Sequence, residues 1–113
     1  LTAPAFPRRI ERALAGRALT EPPVADVLRA AMDLADIEDD AARSVLQAIA
    51  GLIDEGKHPA RATIWTRVPD GDVLRMCEAA SGQIVADTDD LIVAVAKCSA
   101  ARLALRAVKG AQP

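Results

Sequence analysis

Residues 40–59, DAARSVLQAIAGLIDEGKHP, alternate apolar and polar positions with the period of a helix. At about 100° per residue, Ala42, Val45, Leu46, Ile49, Leu52 and Ile53 share one side, while Asp40, Arg43, Ser44, Gln47, Asp54 and Glu55 share the other. The pattern predicts an amphipathic helix with one core-facing stripe. Asp39 and Asp40 mark its start, where carboxylates suit the positive end of the aligned peptide dipoles. Gly56 marks its stop, because glycine takes the left-handed conformation freely, and Pro59 follows shortly. No other segment combines this length with caps at both ends, so the core is expected to be organised around it.

The remaining chain reads as further helices. Residues 1–7 hold two prolines and no periodicity, the mark of a flexible lead-in. Over residues 8–19, Ile10, Ala13, Leu14 and Ala18 share a face, and Arg8, Arg9, Arg12 and Arg17 decorate the others. Pro22 and Pro23 interrupt this helix, and Pro23 suits the first turn of the next, whose apolar positions are Val24, Val27, Leu28, Ala31 and Met32. A short apolar turn over residues 62–68 contains Ile64, Trp65 and Val68. The sequence Pro69-Asp70-Gly71-Asp72 is a strong turn, with Asp72 placed to cap the next helix. In that helix Leu74, Cys77 and Ala80 are in register, and Ser81-Gly82 is expected to end it.

A long final helix is predicted from Asp87, Asp89 and Asp90 to about Lys109, with acids at its start and Lys97, Arg102, Arg106 and Lys109 towards its end. It carries two apolar stripes, Ile92, Ala96 and Leu103 on one side and Ala94, Cys98, Ala101, Leu105 and Val108 on nearly the opposite side. One stripe suits a neighbouring helix, and the other needs the globular part or another subunit to cover it. The expected architecture is all-α. A small orthogonal helical head (residues 8–68) is followed by a C-terminal antiparallel helical hairpin (residues 70–109) and a tail (residues 110–113).

Composition narrows the picture. A chain of 113 residues has room for one domain. Hydrophobic residues make up 51%, yet aromatics are limited to Phe6 and Trp65, so the core must be packed from Leu, Ile, Val and Ala. Trp65 then reads as a core or edge anchor rather than a base-stacking platform. The formal charge of −2 supplies no general attraction to nucleic acid. The arginines of the first helix read as a solvated face, with Glu11 among them. No run approaches the length of a membrane span, and no secretory leader is recognisable, so a cytoplasmic location is expected. Leu1 stands where a start methionine would, as in a processed chain or a piece of a longer one.

Chemistry-bearing patterns are missing. There is no GxxxxGK[ST] phosphate loop, no dinucleotide fingerprint, no HExxH and no CxxC. Cys77, Cys98 and the single His58 are too few and too scattered for a zinc site, and both thiols are expected to be free and buried. Ser44 and Ser81 have no histidine nearby in sequence. Asp36, Glu38, Asp39 and Asp40 lack the alternation and glycine of a calcium loop. The chain is expected to be no enzyme, with no cofactor and no metal.

The hydrophobic pair Val45-Leu46, then Ala48-Ile49, Leu52, Gly56, Pro59 and Thr63 resembles the N-terminal domain of the DnaB family, the hexameric replicative helicases of bacteria. The resemblance extends over about residues 8–108, and the interval from Val95 to Arg102 is similar to one in that family's last helix. The chain departs from the pattern where the family usually has an Asp-Phe pair and then a histidine; here those positions read Asp36, Ile37 and Ala42. Its junction at residues 69–72 is also shorter.

The resemblance implies a non-catalytic oligomerisation and docking domain whose C-terminal hairpins pair between subunits, stabilising the hexamer ring and binding the C-terminal domain of primase. The residues expected at subunit contacts are Leu91, Val95, Cys98, Arg102 and Leu105. Partners are then the chain itself, primase or helicase, with no direct nucleic acid and no membrane. A parent protein carrying the motor would be an ATP-dependent DNA helicase. The alternative is a stand-alone adaptor or inhibitor, from a phage or mobile element, that binds a host helicase or primase. A third reading is a small helical nucleic-acid-binding protein using Arg8, Arg9, Arg12 and Arg17.

Overall fold

The computed structural model describes residues 7–111, so the expected lead-in, apart from Pro7, and the last two residues lie outside the described chain. The described residues form six α-helices and no strand: α1 (Pro7–Thr20), α2 (Pro23–Ala31), α3 (Asp40–Asp54), α4 (Arg61–Trp65), α5 (Gly71–Gln83) and α6 (Thr88–Ala111). A 3-10 turn, Leu34–Asp36, links α2 to α3. Pro7 begins the first helix, and Gly110 and Ala111 belong to the last rather than to a tail.

The anchor helix α3 has the predicted caps. The Asp39 carboxylate accepts the Ala42 N–H at 2.9 Å. At the other end Gly56 has φ +72, and the Gly56 and Lys57 N–H groups close on the carbonyls of Ile53 and Leu52 at 3.0 and 2.9 Å. That pair of reversed bonds satisfies carbonyls the helix itself leaves open. Ala42, Val45, Leu46, Ala48, Ile49, Ala50 and Leu52 are buried.

The hub of the fold is α1 rather than α3. It packs closely along α5 and also touches α2, α3 and α6. Ala13, Leu14, Ala15 and Ala18 are fully buried, and the small side chains among them allow helices to approach from several directions. Closest of all is Gly16, where an added Cβ would stand 2.2 Å from the Cys77 carbonyl oxygen and 2.8 Å from the Ser81 Cβ.

The hairpin expected over residues 70–109 is replaced by a different packing. α5 lies along α1 and touches α3, α6 rests on α1 and α2, and α5 and α6 do not pack along each other. For α5 the seat on α1 is close because Gly16 has no side chain. Ser81-Gly82 does not end α5, which runs on to Gln83, and its cap is Asp70, accepting the Asp72 N–H, rather than Asp72. The link between α5 and α6 is held by Arg17, which donates to the Ile84 carbonyl at 3.0 Å and to the Thr88 hydroxyl at 3.3 Å.

Candidate functional site

Two features stand out, a buried polar junction and the half of α6 that leaves the core. The junction joins α1 to the turn before α3. Glu11 is only 2% exposed, and its carboxylate accepts the backbone N–H groups of Glu38 and Asp39 at 3.0 and 2.9 Å. Asp39, 3% exposed, is held by Arg12 through Nε and Nη2, both 2.9 Å from Oδ1. Two carboxylates are thus satisfied by backbone donors and a guanidinium, the condition under which buried charge is tolerated. The hydrogen bond to Asp39 raises the Arg12 pKa above the ordinary guanidinium range. The neighbouring Cys77 thiol is pushed up to about 11, first by burial and then by the Asp39 charge.

Arg102 of α6 completes the junction. Its guanidinium donates to the Asp36 carbonyl at 3.0 Å and pairs with Glu11 at 3.5 Å and Glu38 at 3.3 Å. Among the residues of α6 whose burial is described, Leu91, Ile92, Val95 and Ser99 are buried, and all precede Arg102. Beyond it, residues 103–110 are exposed on every side. This arm carries Leu103 at 44%, Leu105 at 61% and Val108 at 57% exposure, with alanines between them and Arg106 and Lys109 as its only charges.

The five residues expected at subunit contacts therefore fall in different environments. Leu91 and Val95 lie in the chain's own core, 4% and 2% exposed. Arg102 is turned inward to the junction. Cys98 is a half-buried free thiol. Leu105 is on the exposed arm, where Val108 and Leu103, not among the five, join it. The signal for Leu105 and Val108 in the sequence was the second apolar stripe of the final helix, and Leu103 belonged to the first. Glu11 and Asp39 gave no sequence signal as a pair, being separated by 28 residues.

The arginines of the first helix also divide. Arg12 and Arg17 are engaged with Asp39 and with the α5–α6 link, leaving Arg8, 3.8 Å from Glu38, and Arg9, 3.4 Å from Gln83, on the outer side. Trp65 is half-exposed, its ring against Gly71. Near Ser44, a surface groove of about 370 Å³ is lined by arginines and carboxylates without a histidine or cysteine. Among the described residues, no group of His, Cys, Asp and Glu side chains is placed to hold a metal ion, and no helix is long and apolar enough to cross a membrane. What the arrangement offers is a helix end that is exposed among the described residues. No known protein family, no curated protein and no solved structure matches the chain.

Proposed function

We propose that the chain is a non-catalytic oligomerisation and protein-docking domain, of the kind that forms the N-terminal collar of a DnaB-family replicative helicase in the bacterial cytoplasm. In this reading the domain stabilises a hexamer ring and presents a surface to the C-terminal domain of primase. α6 alone is the projecting element, taking the part expected of the hairpin, and α5 belongs with the head. The observation that carries the reading is the arm, where three large aliphatic side chains are exposed on a helix with no other element over them among the described residues. Scattered exposed aliphatics need no explanation, but Leu105 and Val108 on one side of a projecting helix, with Leu103 on another, are what an association surface presents.

The test is the mass in solution at micromolar concentration. Light scattering behind gel filtration is expected to give a multiple of 11.9 kDa for the wild type and a shift towards that unit mass for Leu105→Glu, with unchanged helical circular dichroism. A single 11.9 kDa species for both proteins would overturn the self-association part of the reading. The adaptor reading uses the same arm, and binding of primase or helicase by a chain that never self-associates would favour it.

A further inference from the structure

We propose that Arg102, acting through Glu11 and the turn before α3, is the positioning residue that sets the direction in which the α6 arm leaves the core. The inference rests on the docking reading for its importance, but its geometry stands independently. The last residue of α6 described as buried is Ser99, so residues 100–110 extend about 17 Å, at roughly 1.5 Å per residue, with no apolar anchor among the described residues. A tilt of about 10° at Ser99 would move the tip by about 3 Å over that length. Something beyond Ser99 must hold the angle if the arm is to present one surface.

Arg102 is the group placed to do so. It lies one turn past Ser99 on the same side of the helix, and its side chain is 23% exposed. Its guanidinium reaches three acceptors on two elements: the Asp36 carbonyl, the Glu38 carboxylate and the Glu11 carboxylate. A single contact would leave the helix free to roll, whereas three acceptors in different directions fix both tilt and rotation.

The anchor is itself rigid. Glu11 is pinned by two backbone N–H groups, and the turn that supplies them is fixed by Asp39 with Arg12. Lysine, a point charge on a flexible stem, can keep the pairing with one carboxylate but cannot span all three acceptors.

The test is a distance distribution between spin labels at Ala107→Cys on the arm and Gln47→Cys on the exposed side of α3, in a Cys98→Ala background with Cys77 buried. The labelled chain is diluted with excess unlabelled chain, so that only intramolecular pairs are read. The parent is expected to give one narrow distance. Arg102→Met, which keeps the apolar stem, is expected to broaden it by several ångströms, at roughly 3 Å per 10° of tilt. Arg102→Lys should fall between the two, and Glu38→Gln, a half-exposed change that spares the core, should broaden it slightly.

A parent distribution already as broad as that of Arg102→Met, or superimposable distributions for the parent, Arg102→Met and Glu38→Gln, would overturn the proposal. If Arg102→Met fails to fold, Glu38→Gln decides alone: broadening supports the proposal and an unchanged distance overturns it. The readout needs no partner. A chain monomeric in solution removes self-association and leaves the positioning result intact, and an oligomeric chain with a mobile arm does the reverse.

Discussion

Gly16→Ala is expected to destabilise the fold, although alanine is the better helix former. The added Cβ would stand 2.2 Å from the Cys77 carbonyl oxygen and 2.7 Å from its carbon. Both are backbone atoms of α5, so no rotamer change relieves the contact. Carbon contacts are most favourable at about 3.5–4.0 Å, so α1 and α5 must part by about 1 Å, weakening dispersion along their shared length. Overpacking of this kind costs about 1–3 kcal/mol, and the rigid obstacle puts this site near the upper end. The gain in helix propensity is about 1 kcal/mol, leaving a net loss of about 2 kcal/mol. For a chain of this size that is about 10 °C in Tm.

Gly82→Ala is the control. It lies near the end of α5 with nothing within 4 Å of its added Cβ, so the propensity gain stands unopposed, and stability should rise by up to about 1 kcal/mol. Urea and thermal unfolding followed by circular dichroism read both variants. A Gly16→Ala protein as stable as the wild type would refute the idea that the α1–α5 contact depends on a missing side chain.

Asp39→Ala should cost about 3–5 kcal/mol, because it removes the α3 cap and leaves Arg12 and its share of the junction without the carboxylate. Urea melting measures the loss, and Asp39→Asn should recover part of it by keeping the cap. Cys77, with its pKa at about 11, is expected to resist Ellman's reagent at pH 8 in the folded chain and to react once guanidinium unfolds it. The same shift has a sign for stability. The folded thiol keeps its proton from its ordinary 9.0 up to about 11, where the unfolded thiol loses it, so the native state binds more protons and stability falls as pH rises through that window. Cys77→Ala should lose less stability between pH 9 and 11; equal losses for both proteins would show that other groups govern the alkaline limb.

Much of the fold could be read from the chain because its signals were local. The Asp39 cap, the left-handed Gly56 and the stripe Val45, Leu46, Ile49 and Leu52 are all settled within one helix and its ends. Pro23 at the start of α2 is of the same kind. The role of α1 was hidden because its sequence is dominated by arginines, and the residues that make it central, Ala13, Ala15, Gly16 and Ala18, are conspicuous only for being small. Closeness of approach is a property of two helices, and a sequence window covers one. The Ser81-Gly82 pair was misleading for a related reason: α5 passes through it while packed against Gly16, and tertiary contact overrode local propensity.

The final helix shows where periodicity stops being informative. The two stripes at Ile92, Ala96, Leu103 and at Ala94, Cys98, Ala101, Leu105, Val108 suggested two covered faces along the whole helix. The buried positions instead are Leu91, Ile92, Val95 and Ser99, a line that shares only Ile92 with the first stripe, otherwise runs between the two, includes a serine and is continued by an arginine. A stripe assumes that one environment extends along the helix, but α6 passes from core to solvent at Arg102. Its upstream half obeys burial, and its downstream half is free of that constraint. The same apolar residue type therefore marks core at Val95 and open surface at Val108. The boundary is set by Glu11, 91 positions earlier in the sequence, which no helical period can connect to Arg102 and which only the packing of α6 on α1 brings within reach.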